Sequence, residues 1–198
     1  MGRALWKFCT ILFHALAFAL MLAAVIGSSW AVISMKNGAH ILHNNRVITL
    51  NGDIIGSYGL WEYCTWNTTS CIKMNYFYGA KDGDWFKVCQ ISATIGCTFA
   101  MTAFLAALLK PCFSDCAGNI ASLNMFLAWV CMTGAVSIFT ANEKTNQEIM
   151  LMEKREWGWT YIAAWSGCAA SLIASIIAWL SHTPKHEETE VNALFVLD

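Results

Sequence analysis

The segment Trp159–Leu180 has the sequence WTYIAAWSGCAASLIASIIAWL, 22 residues without a single Asp, Glu, Lys or Arg. An α-helix needs about 20 apolar residues to cross a hydrocarbon layer about 30 Å thick. Three further windows are equally free of charge: residues 8–30, 88–109 and 120–139. Because lipid offers no hydrogen bonds to the backbone, continuous apolar runs of this length cross it as helices. The sequence therefore predicts four transmembrane helices, with both termini on the same side of the membrane.

The composition agrees with a membrane protein. Of the 198 residues, 57% are hydrophobic and only 13% are charged, whereas about a quarter of the residues of a soluble domain carry a charge. All 25 charged residues lie outside the four windows. The formal net charge of −1 gives no electrostatic attraction for nucleic acid.

The segments between the windows are unequal in length. We expect a single four-span domain over residues 1–198, with a first loop at 31–87, a short turn at 110–119, a second loop at 140–158 and a tail at 181–198. The alternative for the first window is a cleaved signal peptide. The window has 23 residues, however, whereas the apolar region of such a peptide has roughly 7–15.

The orientation follows from the motif Cys64-Thr-Trp-Asn-Thr-Thr-Ser-Cys71 in the first loop. Asn67 begins an N-glycosylation sequon, which is used only on the lumenal side. The two cysteines have the spacing of a short hairpin disulfide, which requires an oxidising compartment. Both features predict that the two larger loops are extracellular and that the termini and the short turn are cytoplasmic. Distribution of Lys and Arg carries less weight here, because the positive-inside rule weakens for long loops.

The remaining cysteines indicate packing or lipidation. Cys9, Cys97, Cys131 and Cys168 fall within or beside apolar windows and are interpreted as small packing residues. Cys112 and Cys116 flank the short turn, where juxtamembrane cysteines are candidates for palmitoylation. Plain reduced thiols are the alternative for both.

No catalytic or metal-binding constellation is found in the sequence. His14 is the only ionisable residue deep in a window besides the thiols, and without a charged partner it is interpreted as a hydrogen-bonded packing residue. His40 with His43, and His182 with His186, lack further ligands at metal-site spacing. We therefore expect a protein that is not an enzyme and holds no cofactor or metal.

Small residues recur every fourth position in three windows, as in the series Ala163, Gly167, Ser171 and Ser175. Such a face lets two helices approach closely in lipid. Packing within one bundle is the preferred interpretation, and a dimerisation face is the alternative.

The first loop contains strand-like segments. Residues 46–50 end at the turn dipeptide Asn51-Gly52, and residues 58–66 and 71–78 are rich in apolar and aromatic side chains. These segments predict a small antiparallel sheet, which must lean on the helices because a sheet of this size is unstable alone. Four tryptophans are predicted at the outer membrane boundary, as an aromatic belt: Trp30, Trp85, Trp157 and Trp159.

Several of these residues carry a family resemblance. Trp30, then Gly59-Leu60-Trp61, then Cys64 and Cys71 resemble the signature of the claudin superfamily, which includes claudins, peripheral myelin and epithelial membrane proteins, and calcium-channel γ subunits. The layout of four spans with a large first outer loop is similar over the whole chain. Residues 156–161, Glu-Trp-Gly-Trp-Thr-Tyr, are similar to the segment before the fourth span in the epithelial-membrane and γ-subunit branches.

The resemblance implies a membrane all-α fold, a four-helix transmembrane bundle with a small extracellular antiparallel β-sheet. It further implies that the second outer loop contributes to the sheet, that Trp61 anchors the sheet near the membrane and that the Cys64–Cys71 bond pins its strands. Two departures point to a divergent member. The 28 residues between Trp30 and Gly59 are more than barrier-forming claudins usually have, and the chain lacks a C-terminus of the PDZ-binding type.

The implied function is that of a plasma-membrane protein of cell–cell junctions, acting in adhesion or in a paracellular barrier. It would self-associate in cis and trans or bind a partner membrane protein. The candidate contact is Ile149, Met150, Leu151 and Met152, which alternatively extend the third helix. The alternative function is an auxiliary γ-type subunit of an ion channel or receptor.

Overall fold

Four long apolar helices form the membrane part of the chain. The computed structural model describes residues 2–35, 40–43, 46–49, 54–65, 70–73, 84–109, 116–149 and 154–180. The helices are α1 (Gly2–Ile26), α2 (Asp84–Leu109), α3 (Cys116–Ile149) and α4 (Trp159–Leu180). Each contains a segment long and apolar enough to cross a bilayer, namely Phe8–Ile26, Asp84–Leu109, Gly118–Asn142 and Trp159–Leu180. The chain is a multi-pass membrane protein with the four predicted spans.

Small residues bring the helices of this bundle together. α1 packs on α4 and α2, and α3 packs on α2 and α4. At Gly96 of α2, an added Cβ would lie 3.2 Å from the Ala128 carbonyl oxygen of α3. Ser122 of α3 and Ser175 of α4 each donate a hydrogen bond to the other's carbonyl oxygen, at 3.0 and 3.2 Å. The small residues of α4 are buried inside the bundle, as the packing interpretation predicted.

α1 ends at Ile26, four residues before the predicted boundary at residue 30. The amide of Gly27 still donates to the Ala23 carbonyl oxygen at 3.0 Å, and the amide of Trp30 already donates to Tyr58 at 2.8 Å. The chain therefore passes from helix to sheet within four residues.

Five strands form one antiparallel sheet at the end of the bundle where α1 ends. Its order is β6-β5-β4-β1-β7, and β2 pairs with β3 in a separate two-stranded sheet. The strands are β1 (Ala31–Met35), β2 (His40–His43), β3 (Arg46–Thr49), β4 (Ile54–Tyr58), β5 (Glu62–Thr65), β6 (Ser70–Lys73) and β7 (Lys154–Trp157). β7 comes from the second loop, as the family resemblance implied.

The predicted strand boundaries need correction. Residues 58–66 do not form one strand, because β4 ends at Tyr58 and the amide of Gly59 donates to the Glu62 carbonyl oxygen at 2.9 Å, which makes a tight turn. Of the segment predicted at 46–50, β3 pairs with β2 and, among the described residues, is not part of the five-stranded sheet, while residue 50 lies outside the described residues. Of the segment 71–78, the first three residues belong to β6, and residues 74–78 lie outside the described residues.

Aromatic side chains join the sheet to the helices. Phe139 of α3 is fully buried and has its ring centroid 4.9 Å from that of Trp30. Tyr58, Trp85, Phe86, Trp157 and Tyr161 surround the same ring, with centroids 6.0–6.5 Å away. Of the four tryptophans predicted at the membrane boundary, Trp30 is fully buried, whereas Trp159 is 61% exposed.

Gly158 connects β7 to α4 at a point of close backbone contact. Its amide donates to the Trp30 carbonyl oxygen at 2.9 Å, and its own carbonyl accepts from the Ile162 amide at 3.3 Å. A Cβ on Gly158 would overlap the carbonyl oxygen of Ser29. The atoms that this Cβ would meet are backbone atoms of Ser29. A larger residue at position 158 would therefore have to displace the chain before β1 or the chain between β7 and α4.

We predict that Gly158→Ala lowers the free energy of unfolding by about 2–4 kcal/mol. The measurement is the melting temperature of purified protein in detergent. Gly134→Ala is the matched control, since a Cβ there meets no atom within 4 Å among the described residues. Equal melting temperatures for the two variants would contradict the close approach at Gly158.

Candidate functional site

The turn Gly59-Leu60-Trp61 between β4 and β5 rests on the end of α1. Leu60 is fully buried, whereas Trp61 is 43% exposed. A Cβ on Gly59 would overlap the carbonyl oxygen of Gly27, so only glycine lets the two backbones come this close. The turn thus fixes the distance between the sheet and the C-terminal end of α1.

The indole groups of two tryptophans, Trp30 and Trp61, donate hydrogen bonds to carbonyl groups at the C-terminal end of α1. Trp30 Nε1 donates to the Ala24 carbonyl oxygen at 2.7 Å, and Trp61 Nε1 donates to the Val25 carbonyl oxygen at 2.8 Å. The last four carbonyl groups of a helix have no partner within the helix. At a membrane boundary such groups are costly to leave unpaired, so the indole N–H groups stabilise the helix end and orient the sheet together.

A third anchor comes from α2 and was missed in the sequence. Gln90 is buried, and its Nε2 donates to the Leu60 carbonyl oxygen at 2.5 Å. The available signal was a single Gln near the start of the charge-free window 88–109, since a Gln at such a position needs a polar partner in its surroundings. Gln90 therefore ties the turn to a second helix.

The disulfide joins the two outermost strands on one side of the sheet. Cys64 of β5 and Cys71 of β6 are directly opposite, with 4.1 Å between their Cα atoms. A carboxylate oxygen of Glu62 lies within 4.8 Å of both sulfur atoms. The three residues cannot hold a metal in this state, because sulfur atoms bonded to each other offer no thiolate. Asn67 lies between these strands, outside the described residues.

The other predicted site residues lie elsewhere. Cys116 begins α3, while Cys112 lies outside the described residues. Ile149 ends α3, so the third helix continues well into the predicted second loop; Met150, Leu151 and Met152 are outside the described residues.

His14 is fully buried within the first span. Its Nδ1 donates a hydrogen bond to the Thr10 carbonyl oxygen at 2.7 Å. This contact within α1 agrees with the interpretation of His14 as a packing residue.

The charged groups around the sheet are mostly exposed. Lys87 and Asp84 form an ion pair at 3.3 Å at the start of α2, with both side chains largely in solvent, where such pairs contribute little. Glu62 and Lys73 are opposite each other on β5 and β6. Burial raises the pKa of the Tyr63 phenol.

We predict that Gln90→Met loosens the turn without unfolding the bundle. The variant removes the donor to a buried carbonyl group, which costs about 1–3 kcal/mol. Hydrogen exchange should accelerate in residues 58–62 and stay unchanged in α3 and α4. Thr98→Val is the control, because the exposed Thr98 hydroxyl bonds only within its own helix, to Thr94 at 2.9 Å. Unchanged exchange in the turn of the Gln90 variant would contradict the anchor.

Comparisons with known proteins agree with this architecture. No curated protein matches the chain. The model of the PMP-22/EMP/MP20/Claudin family matches residues 4–178, which include the first three spans, all but the last two residues of the fourth, the sheet and its anchoring residues. The chain belongs to the PMP-22/EMP/MP20/Claudin family.

Proposed function

We propose that this protein acts at cell–cell junctions of the plasma membrane, in adhesion or in a paracellular barrier, through its outer loops. Its family consists of non-enzymatic membrane proteins. The proposal rests on the family match over residues 4–178. The candidate contact surface is the segment that connects β1 to β4, residues 36–53, which is named the distal insertion.

The pairing of β1 with β4 places the distal insertion. Ala31 is opposite Tyr58 at the end of the sheet that touches the helices, and Met35 is opposite Ile54 at the other end. With about 3.4 Å per residue, the insertion leaves the sheet roughly 15 Å from the helices. It contains β2 and β3, which pair with each other and, among the described residues, with no strand of the five-stranded sheet. Because these two strands are not needed to complete that sheet, they are available for contact with a partner.

The charge of the outer loops supports association between copies of the chain. Residues 31–87 and 140–158 together hold eight basic and eight acidic residues. Surfaces of balanced charge do not repel their own copies, whereas a strong bias of one sign would. The same balance argues against a strongly charge-selective paracellular pore. The proposed contact of Ile149, Met150, Leu151 and Met152 would add an apolar element to this surface.

The proposed orientation places the sheet outside the cell and both termini in the cytoplasm. The disulfide of Cys64 and Cys71 supports it, since such bonds persist in oxidising compartments. The sequon at Asn67 adds independent support.

An auxiliary channel subunit is the alternative, and the distal insertion would equally suit a partner in the same membrane. The segment 156–161 does not favour the auxiliary-subunit function. The ring of Trp157 stacks on that of Tyr161, with 4.3 Å between the centroids, and lies near the ring of Phe139, so these side chains pack inside the protein. We therefore rank the junctional function first.

The test of function is replacement of the distal insertion by Asn-Gly. Met35 and Ile54 are directly opposite, so a two-residue turn closes the β1–β4 hairpin without disturbing it. In adhesion-free cells, the unmodified protein should concentrate where two expressing cells meet, and the shortened variant should reach the surface but spread evenly. In a control variant, the distal insertion is replaced by a Gly/Ser segment of the same length, which keeps the length of the loop and removes its side chains. This variant should also spread evenly over the surface.

Even surface staining of the unmodified protein together with a co-purified channel would contradict the junctional proposal and favour the auxiliary-subunit function. Undiminished enrichment of the shortened variant at cell contacts would contradict contact through the distal insertion.

The orientation gives a further prediction at the sequon. Glycosidase treatment should increase the electrophoretic mobility of the unmodified protein, and Asn67→Gln should abolish the shift. Thr69→Ala is the matched variant, since it removes the sequon and keeps Asn67. Labelling of Cys64 and Cys71 by a cytosolic thiol reagent would contradict the orientation.

A further inference from the structure

A small open cavity lies where the outer end of α1 meets the turn between β4 and β5. It has a volume of about 240 Å³ and is lined by Ile26, Gly27, Ser28, Trp61 and Glu62; we name it the outer groove. Ile26 is the last residue of the span Phe8–Ile26. The outer groove therefore lies at the level where the hydrocarbon layer meets the lipid headgroups.

An apolar path leads from the hydrocarbon layer into the outer groove. Ile26 is 70% exposed, and Leu22, one turn earlier on the same face of α1, is 38% exposed. A lipid chain lying along this face would have its headgroup beside Gly27 and Ser28.

The outer groove also has an aromatic wall. The Trp61 indole is held in place by its hydrogen bond to Val25, yet 43% of the side chain is exposed. A tryptophan ring attracts cations, and quaternary ammonium groups bind to such rings in proteins. The ring is fixed in advance, so binding does not have to order it.

The charge beside this wall is negative. Glu62 lines the outer groove and is exposed. Lys73 is opposite Glu62 on β6, but no ion pair joins the two side chains, both of which the structure describes. The groove residues thus combine an aromatic surface, a carboxylate and the Ser28 hydroxyl, with no basic residue among them.

We propose that the outer groove binds a phospholipid with a choline headgroup. The trimethylammonium group lies against Trp61 and near Glu62, Ser28 is available to the phosphate, and an acyl chain follows Ile26 and Leu22. The volume is below the roughly 300–1,000 Å³ of pockets for drug-sized ligands, which suits a headgroup whose chains remain in the bilayer. This binding is independent of the junctional function.

The experiment uses the full-length protein in detergent, with bound lipid counted by native mass spectrometry. Phosphatidylcholine, phosphatidylethanolamine and phosphatidylglycerol with identical chains are titrated separately. The unmodified protein should bind phosphatidylcholine about fivefold more tightly than phosphatidylglycerol, the factor expected for one cation–aromatic contact at an exposed site. Phosphatidylethanolamine should be intermediate, because its ammonium group is not methylated.

Three variants separate the groove from general lipid adsorption. Glu62→Gln should lose most of the preference for phosphatidylcholine, whereas Lys73→Gln should keep or increase it. Asp84→Asn removes another exposed carboxylate at the outer boundary, away from the groove, and should leave the preference unchanged. The exposed positions of all three make the fold insensitive to these changes, and an unchanged melting temperature verifies it.

Several results would overturn the proposal. They are equal affinity of the unmodified protein for phosphatidylcholine and phosphatidylglycerol, tighter binding of phosphatidylethanolamine than of phosphatidylcholine, and an undiminished preference in the Glu62 variant. Displacement of the lipid by an equal concentration of glycerophosphocholine, which has no chains, would assign the groove to a soluble ligand instead.

Discussion

The structure depends on how the last turn of α1 is satisfied at the membrane surface. A helix that ends at the edge of the hydrocarbon layer leaves carbonyl groups without partners in a region with little water. Here the Gly27 amide and the indoles of Trp30 and Trp61 supply donors to Ala23, Ala24 and Val25. Trp30 directly precedes β1, and Trp61 lies in the turn before β5. Their hydrogen bonds to α1 therefore determine where the sheet begins relative to the end of this helix.

A second layer of contacts makes the sheet and the bundle one unit. The ring of Phe139 in α3 packs between Trp30 and Tyr58 of the sheet side and Tyr161 of α4. Gly59 and Gly158 let the backbones of the sheet approach the end of α1 from two directions. Because side chains of α2, α3 and α4 and carbonyl groups of α1 take part, the membrane part positions the sheet.

The spans were predictable, because the thickness of the bilayer imposes a length on charge-free windows whatever the tertiary contacts are. α4 has the predicted bounds, whereas α3 runs on to Ile149 because polar residues outside the lipid do not stop a helix. The break at Gly59-Leu60-Trp61 was missed, since two of its three residues are as apolar as a strand. A single Gln in an apolar window signals that Gln90 needs a polar partner, but the identity of that partner and the burial of Trp30 depend on contacts between distant segments.

The pairing of β1 with β7 joins segments more than 120 residues apart, with Ala31 opposite Trp157. During synthesis, β1, β4, β5 and β6 all emerge before α2, but β7 follows only after α3. One edge of β1 therefore stays unpaired while two further helices are made and inserted. The five-stranded sheet can therefore be completed only after α2 and α3 have been made.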